Sequence, residues 1–305
     1  MKSLANKKIL LTGAASGIGR ALALKLAKEG ALLALLDCDE VGLVSLMKDL
    51  PSGHNGCFPV LCDLSSETQI EQATQSVIQE WQALDVLINN AGVGFHGPTH
   101  EMTPAERSRL IQINLHAPFS LFQHCVHYLM NSESGHVVNV SSIFGLVPHQ
   151  QTTAYSTSKY ALVGFSEALR AEYGRWGLGV TCVCPGFVRT PMVEALPAQS
   201  RSGQSLRKPA SWLMTTPEKV ADKMIRGIKK NKRLVLATPL AHFLYHSKRL
   251  FPGLFDFVQS FKTTRIKTWL GIRKTAKTNL KPAQPDPDLF LNHGHESAED
   301  SKKAA

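Results

Sequence analysis

The chain has 305 residues, of which 43 % are hydrophobic, so it can bury a sizeable core as one large domain or two small ones. It has no run of 18 uncharged apolar residues, and its amino-terminal residues lack the layout of a secretory signal. The sequence therefore predicts a cytoplasmic protein without a membrane-spanning helix. The six cysteines form no CxxC pair and the histidines no HExxH pattern, which favours reduced thiols over disulfides or a metal site.

The net charge of +10 is unevenly distributed along the chain. Residues 1–222 carry a net charge of −1, residues 223–281 carry +14, and residues 282–305 carry −3. This distribution predicts a near-neutral globular domain followed by a basic segment and a polar tail.

The first predicted unit is a strand, a glycine-rich turn and a helix. Lys8–Thr12 is a short apolar strand, Gly13 to Gly19 has the spacing Gly-x-x-x-Gly-x-Gly, and the residues from Arg20 to Gly30 have helical periodicity. Glycines let the backbone approach a pyrophosphate, and the amino terminus of a helix offers free N–H groups to it. This order favours a dinucleotide-binding turn over a merely tight turn.

The next predicted strand, residues 31–36, ends at Asp37. A carboxylate there can accept hydrogen bonds from the ribose hydroxyls of an adenosine and repels a 2′-phosphate, so Asp37 predicts a preference for NAD over NADP. Arg20 is the one nearby cation that weakens this prediction. The alternative is that Asp37 is a solvated carboxylate that ends a strand.

Five further apolar segments alternate with helical ones, among them the predicted helices 67–80 and 104–130. Several of these segments end in small or polar residues, as expected at the ligand-binding edge of an open parallel sheet. Strands alternating with helices predict an α/β fold, a Rossmann-type doubly wound parallel sheet of about seven strands with helices on both faces. The five segments are residues 57–62, 85–89, 136–140, 180–184 and 233–237.

A tyrosine and a lysine, Tyr155 and Lys159, open a helical stretch four residues apart, so they share one helix face. A free tyrosine has a pKa of about 10 and is a weak acid and base at neutral pH. An ammonium group beside it favours the phenolate and lowers its pKa. The pair is therefore predicted to move a proton on or off an alcohol oxygen, although the spacing alone is also that of an ordinary exposed helix face.

Several short motifs follow one another along the chain in a fixed order. They are Thr12-Gly13-x-x-x-Gly17-x-Gly19, Asn89-Asn90-Ala91-Gly92, Asn114, Ser142, Tyr155-x-x-x-Lys159, and Pro185-Gly186 followed by Thr190. In this order and spacing, the chain resembles the short-chain dehydrogenase/reductase family from about Lys7 to about Thr238. The resemblance implies hydride transfer between NAD(H) and a secondary alcohol or ketone, in an enzyme that is a dimer or tetramer.

The resemblance also implies roles for single residues. Tyr155 would be the catalytic acid and base, Lys159 would lower its pKa and bind the nicotinamide ribose, and Ser142 would bind the substrate oxygen. Asn114 would hold a water in the proton path. The residues implied to contact the cofactor, besides Tyr155 and Lys159, are Gly13, Ser16, Gly17, Ile18, Gly19, Asp37, Asp63, Leu64, Asn89, Asn90, Ala91, Gly92, Pro185, Gly186, Val188 and Thr190.

The substrate is predicted to be lipophilic, such as a steroid, a retinoid or an acyl-chain compound. In the family, the stretch after Thr190 closes over the substrate, and here it is apolar. The predicted wall residues are Phe144, Leu146, Met192, Val193 and Leu196, which could equally pack the cover itself. The alternatives are a 3-oxoacyl-carrier-protein reductase and a noncatalytic NAD-binding sensor or scaffold; the latter could have lost Tyr155, Lys159 or Ser142, yet all are present.

Residues 1–239 are thus predicted to form the NAD-binding and catalytic domain, and residues 240–281 a basic helical extension. Its aromatic faces flanked by Lys and Arg suit a helix lying on an anionic membrane. The extension could instead cover the active-site mouth or a subunit interface with its basic residues solvated, whereas nucleic acid is not expected as a partner. Residues 282–305 are predicted to be a mostly disordered tail.

Overall fold

A seven-stranded, fully parallel sheet organises the protein, with the strand order β3-β2-β1-β4-β5-β6-β7. The structure is a computed structural model and describes residues 1–51, 56–197, 199, 201, 203, 210–253 and 257. The strands are β1 (Lys8–Thr12), β2 (Leu32–Asp37), β3 (Phe58–Leu61), β4 (Val86–Asn89), β5 (His136–Val140), β6 (Gly179–Cys184) and β7 (Leu234–Leu236). The chain order reverses between β1 and β4, and a doubly wound sheet binds its ligands outside the carboxyl ends of the strands at such a point.

Helices cover both faces of this sheet. They are α1 (Gly17–Lys28), α2 (Glu40–Asp49), α3 (Glu67–Trp81), α4 (Pro104–Ile111), α5 (Ala117–Asn131), α6 (Thr153–Tyr173), α7 (Pro191–Glu194), α8 (Pro217–Lys229) and α9 (Pro239–Leu250). Within the described ranges, none of these helices combines the length and the apolarity needed to cross a bilayer.

The core consists of two apolar clusters, one on each face of the sheet. Alternation along β1 shows how they separate, because Ile9 and Leu11 belong to one cluster and Leu10 to the other. Helices α1 and α8 pack in the first cluster, and α3, α5 and α6 pack in the second. Strands covered on both faces are mostly apolar, and the strand residues that line the ligand cleft lie at the strand ends.

The predicted fold class and all seven predicted strands are confirmed. The predicted single helix 104–130 is wrong, because a π-helical turn, Gln112–His116, separates α4 from α5. Helix α9 occupies the start of the predicted extension 240–281. The rest of that extension, apart from residues 251–253 and 257, and the predicted disordered tail 282–305 lie outside the described residues.

Candidate active site

A cleft of about 280 Å³ opens at the carboxyl ends of the strands. It brings together most of the predicted cofactor residues, all the predicted catalytic residues except Asn114, and two of the predicted substrate residues. The predicted residues that line it are Gly13, Ser16, Gly17, Ile18, Asp37, Asp63, Leu64, Asn90, Ala91, Gly92, Ser142, Tyr155, Lys159, Pro185, Gly186, Val188, Thr190, Met192 and Val193.

The turn between β1 and α1 needs two of its glycines for their backbone conformation. Gly13 has φ +64° and Gly17 has φ +52°, a region that side chains other than glycine rarely adopt. A Cβ on Gly13 would also lie 2.8 Å from the Cα of Ala91. The turn therefore leaves no room for a side chain between β1 and the end of β4.

The amino terminus of α1 is left without a side-chain cap. Its N-cap residue, Ser16, makes no side-chain hydrogen bond to the helix, and the first turn contains no acidic residue. By contrast, Asp39 caps α2 and Ser66 caps α3 through hydrogen bonds to backbone N–H groups. The free N–H groups and the positive end of the helix dipole in α1 fit the pyrophosphate of a dinucleotide.

Asp37 closes the end of the cleft where an adenosine is predicted to bind, which we call the adenosine end. Its carboxylate accepts hydrogen bonds from the backbone N–H groups of Ala15 (2.9 Å) and Asp39 (3.1 Å), which ties the end of β2 to the glycine turn. Arg20, the cation that weakened the prediction for NAD, donates to Ser45 Oγ (3.1 Å) and to Asp49 (2.5 Å) on α2. The guanidinium group of Arg20 is thus already bound to a carboxylate.

Asp63, at the end of β3, faces a cation that sequence reasoning missed. Its carboxylate accepts a hydrogen bond from the N–H of Ser65 (2.9 Å), which lowers its pKa, and Arg109 from α4 lowers the pKa further. Arg109 lines the cleft, although it is 46 residues beyond Asp63 and no local motif marks it. Other lining residues without a motif are Leu36, Cys38, Cys62, Val93, Ile113, Val140, Ser141 and Pro191.

Asn90 joins the ends of β1 and β4. Its side-chain amide donates to the carbonyl oxygens of Thr12 (2.9 Å) and Gly13 (3.1 Å). The Thr12 hydroxyl in turn accepts the N–H groups of Asn90 (3.0 Å) and Ala91 (3.1 Å). This reciprocal set of hydrogen bonds fixes the glycine turn against the neighbouring strand end.

Tyr155 and Lys159 stand on the first turns of α6, on the side that faces the cleft. Lys159 is buried, and its Nζ lies 5.8 Å from the centroid of the Tyr155 ring. The same Nζ donates to the carbonyl oxygen of Val140 at the end of β5 (3.0 Å). Ser142 follows that strand, so strand β5 and helix α6 present the hydroxyl, phenol and ammonium groups together.

The predicted lowering of the Tyr155 pKa is wrong for the protein alone. Burial raises the pKa of Tyr155, and the hydroxyl of Ser142 lowers it only in part. Burial likewise lowers the pKa of Lys159 to about 8. Both shifts have the same main cause, because a charged group loses its hydration in the interior.

Asn114 lies in the π-helical turn between α4 and α5 and braces the loop after β4. Its Oδ1 accepts the N–H of Val93 (2.8 Å), while its Nδ2 donates to the carbonyl oxygen of Val93 (2.9 Å) and to Ser158 Oγ (3.1 Å). A Cβ on Gly92 would lie 3.1 Å from Asn114 Oδ1 and 3.2 Å from Lys159 Nζ. The bare backbone of Gly92 therefore separates Asn114 from Lys159.

Two predicted cofactor residues lie beneath the cleft and do not line it. Asn89 is buried, and its amide donates to Asn139 Oδ1 (2.8 Å). A Cβ on Gly19 would lie 1.8 Å from the carbonyl oxygen of Gly13, so Gly19 allows α1 to pack closely against the turn. The structure thus places both as supports of the site.

Three predicted substrate residues, Phe144, Leu146 and Leu196, do not line this cleft. The ring of Phe144 packs edge-on against Tyr155, with the ring centroids 6.4 Å apart. The carbonyl oxygen of Leu146 accepts hydrogen bonds from Tyr160 and Lys248. Leu196 lines a second cavity.

That second cavity, of about 570 Å³, adjoins the first, because Gly92, Val93 and Met192 line both. Arg201 closes one side through an ion pair with Glu106 (2.6 Å), whose pKa it lowers to about 2. The remaining lining residues mix apolar and polar side chains: Gly94, Phe95, His96, Gly97, Glu101, Ala195, Leu196, Pro197 and Gln199.

Comparison with known proteins agrees with this geometry. The sequence profile of the family described as short chain dehydrogenase matches residues 7–201. The chain belongs to this family. The predicted resemblance is therefore confirmed, and the protein is an oxidoreductase of the short-chain dehydrogenase type.

Similar proteins act on different substrates. The chain is 34 % identical over 218 residues to the 3-oxoacyl-[acyl-carrier-protein] reductase of Thermotoga maritima, covering 72 % of this chain and 88 % of that protein. It is 32 % identical over 194 residues to the levodione reductase of Leifsonia aquatica, covering 62 % and 72 %. The probable oxidoreductase EphD of Mycobacterium tuberculosis is 33 % identical over 256 residues, and the chain spans 43 % of its length.

Solved structures support the fold. A short-chain dehydrogenase/reductase from Burkholderia phymatum, solved with NAD, superposes with a TM-score of 0.73 at 22 % identity, covering 92 % of this chain and all of that chain. The 3-ketoacyl-(acyl-carrier-protein) reductase of Brucella melitensis, solved with NADH, gives a TM-score of 0.67 at 20 % identity, covering 77 % and 97 %.

Proposed function

We propose that the protein transfers a hydride between NAD(H) and a secondary alcohol or ketone on a lipophilic substrate. The observation that carries this proposal is one continuous cleft. Asp37 and the uncapped start of α1 lie at one end, and Ser142, Tyr155 and Lys159 lie at the other. Such a cleft suits a dinucleotide whose reactive ring lies beside an acid–base group.

The bound nicotinamide supplies the hydride chemistry, and the chain's own residues supply orientation and a proton. Because burial keeps Tyr155 neutral, its hydroxyl is in the form that donates a proton to a carbonyl oxygen undergoing reduction. The Ser142 hydroxyl binds the same oxygen, and Lys159 binds the nicotinamide ribose. In the direction of alcohol oxidation, Tyr155 accepts the proton, which higher pH favours.

The preference for NAD rests on charge at the adenosine end. The Asp37 carboxylate would repel a 2′-phosphate, and Arg20 is paired with Asp49 rather than free to neutralise one. Arg109 is the cation that opposes this preference, because it lines the cleft on the side of Asp63.

The second cavity supports the proposal that the substrate is lipophilic. Met192 lines both cavities, and Phe95, Leu196 and Pro197 add apolar surface beyond it. A substrate whose reacting carbon lies beside Tyr155 can place an apolar body there.

A substrate screen tests the proposal. Ketones and secondary alcohols with apolar bodies are assayed with NAD(H) and NADP(H) side by side by following the absorbance of the reduced nicotinamide. We expect turnover with NAD(H), and we expect Asp37→Asn, which keeps an oxygen for the Ala15 N–H, to raise the relative use of NADP(H) by about tenfold. Faster turnover with NADP(H) in the unaltered protein contradicts the cofactor preference. Absence of turnover with every substrate favours a noncatalytic sensor.

A 3-oxoacyl-[acyl-carrier-protein] reductase is the second candidate, because the relative from Thermotoga maritima carries that name at 34 % identity. The two candidates separate when 3-oxoacyl thioesters on the carrier protein are compared with free ketones. A preference for the carrier-bound thioester together with NADPH favours the second candidate.

We also propose that the active form is a homo-oligomer, either a dimer or a tetramer. Phe119 on α5 is 41 % exposed, and its ring stacks on that of Phe165 of α6 at 3.8 Å, which leaves an aromatic face open on these helices. Light scattering of the purified chain measures its mass, and a monomer at working concentration would contradict this.

A further inference from the structure

Helix α9 exposes two large apolar side chains on its outer side. Ala241 is fully buried and Lys248 is partly buried on the inner side, whereas Phe243 is 68 % exposed and Leu250 is 69 % exposed. Phe243 and Leu250 are seven residues apart, so they lie on the same side of the helix, opposite Ala241. Phe251, which is 61 % exposed, follows directly. We call Phe243, Leu250 and Phe251 the outer face of α9.

The inner side of α9 is anchored to the catalytic domain. Lys248 Nζ donates to the carbonyl oxygen of Leu146 (3.0 Å) and to the hydroxyl of Tyr160 (2.5 Å), and it lies 5.1 Å from the centroid of the Tyr160 ring. The Thr238 hydroxyl caps the helix by accepting the N–H of Ala241 (3.1 Å). These contacts fix the orientation of the helix, and with it the direction of its outer face.

Single exposed apolar side chains are ordinary on a protein surface, but clusters of them mark binding sites. Of the large apolar side chains of the described residues that are more than half exposed, the three of the outer face fall within nine residues. A surface helix usually turns such residues inward, as α8 does with Val220, Met224 and Ile228.

The charge around the outer face of α9 indicates which kind of partner binds it. Arg249 is exposed on α9, and the sequence from residue 223 to residue 281 carries a net charge of +14. A second copy of the chain would bring an equally positive segment against the positive segment of the first. A nucleic acid would neutralise the charge but would offer no apolar layer to Phe243, Leu250 and Phe251. An anionic lipid surface offers both an apolar layer and negative headgroups.

We propose that the outer face of α9 docks the protein onto an anionic membrane. The aromatic and leucine side chains enter the boundary between headgroups and acyl chains, and Arg249, which is exposed on the same helix, meets the anionic headgroups. Since Lys248 ties α9 to the segment after Ser142, docking also places the catalytic domain at the lipid surface.

Flotation of the full chain with vesicles tests this proposal. One set of vesicles is phosphatidylcholine alone, and the other contains about 30 % phosphatidylserine, comparable to an anionic leaflet. We expect binding to the anionic vesicles that weakens in about 1 M salt. The double variant Phe243→Ser/Leu250→Ser should lower the affinity at least about tenfold, because two exposed apolar side chains no longer leave water on binding.

The matched control is Val41→Ser/Val44→Ser, which removes two exposed apolar side chains from α2. It should float like the unaltered protein, and both variants should keep the far-ultraviolet circular dichroism of the parent. Failure of the unaltered chain to float with anionic vesicles overturns the proposal, as does equal flotation of the two double variants. If Phe243→Ser/Leu250→Ser instead lowers the oligomeric mass without changing flotation, the outer face is a subunit contact and the proposal is wrong. None of these readouts requires turnover, so they stand apart from the test of the proposed activity.

Discussion

The protonation states of the ionisable groups at the two ends of the cleft depend on different interactions. At the adenosine end, Asp63 is partly exposed, and the backbone N–H of Ser65 lowers its pKa. At the catalytic end, Tyr155 and Lys159 lose their hydration, and burial raises the pKa of the phenol and lowers that of the ammonium. Hydrogen bonds thus favour the charged form at one end, while burial favours the neutral form at the other.

This difference teaches what each end contributes. A carboxylate held by backbone N–H groups near solvent can recognise a ligand at little cost to stability. A buried ammonium stores an unfavourable free energy in the folded protein, whereas the phenol is neutral in the folded and the unfolded state at pH 7; groups with shifted pKa values are common where a proton must move. Changes at the catalytic end should therefore alter rate and stability strongly, and changes at the adenosine end should alter mainly affinity.

The largest effect is expected for Tyr155→Phe. Without the hydroxyl, no acid remains at that position, so kcat should fall by about 10²–10⁴-fold. The binding of NADH, followed by its fluorescence, should stay within about twofold, because a lost contact of this kind contributes little to affinity.

Tyr160→Phe is the matched control, since Tyr160 lies on the same helix but donates its hydroxyl to Leu146. Its kcat should keep the order of magnitude of the parent. A Tyr155→Phe enzyme that works as fast as the Tyr160→Phe enzyme would remove the phenol from the mechanism.

Lys159→Met should inactivate the enzyme and yet stabilise the fold. The folded pKa of Lys159 is about 8 against 10.5 ordinarily, so its ammonium destabilises the folded state at pH 7 by about 3 kcal/mol. Between pH 8 and pH 10.5, the unfolded state binds more protons than the folded state, so this group's contribution to stability improves as the pH rises. We expect the variant to gain about 2–3 kcal/mol at pH 7, because its side chain carries no charge.

Urea unfolding of both proteins at pH 7, 8 and 9 measures this difference. The advantage of Lys159→Met should shrink by about 1 kcal/mol between pH 8 and pH 9, because the folded group is still half protonated at pH 8. A variant that is less stable than the parent at pH 7 would show that Lys159 is held by favourable bonds, as Asp63 is, and the contrast between the two ends would disappear.

His136 provides a second test of the effect of burial, at the start of β5, the strand whose end leads to Ser142. Burial lowers its pKa from 6.5 to about 3, and it hydrogen-bonds Thr181 Oγ1 (2.9 Å). The folded state therefore keeps His136 neutral while the unfolded state takes up a proton below pH 6.5. Its contribution is fully present above pH 6.5 and is lost as the pH falls, by about 1.4 kcal/mol per pH unit.

His136→Asn should remove this dependence. The variant should be less stable at pH 7.5, because it loses packing, but its stability should fall less steeply between pH 6.5 and pH 5.5. Parallel loss in the two proteins over that interval would mean that His136 is protonated in the folded state.

The fold could be predicted almost completely from the sequence, because apolar strands and helical periodicity are local signals. The break in the predicted helix 104–130 has one local signal, Pro118, which lacks an N–H for an intrahelical bond, but the contact that Asn114 makes beside it could not be predicted. Asn114 bonds both backbone groups of Val93, 21 residues away, and the helix makes a π-turn where this contact is made. Nothing in the neighbouring sequence shows that partner.

The site residues that carry motifs were predicted, and those that fold onto the site from elsewhere were not. Arg109 reaches the cleft only because α4 packs beside it. The direction of the shift in the Tyr155 pKa was also mispredicted, because the spacing shows that Lys159 is near but not that Lys159 is buried and Tyr155 partly buried. The exposure of a side chain to water depends on the whole fold, so it cannot be predicted from a four-residue spacing.

The smallest effect is expected for Asp63→Asn at the adenosine end. The amide oxygen can still accept the N–H of Ser65, and only the charge facing Arg109 is lost. Because this site is partly exposed and screened by solvent, the Kd for NADH should rise by only about two- to fivefold, with kcat unchanged within error. Fluorescence titration with NADH measures Kd, and steady-state assays measure kcat on the same preparation. A fall in kcat of the size expected for Tyr155→Phe would show that the adenosine end governs the chemical step, and the division between recognition and proton transfer would fail.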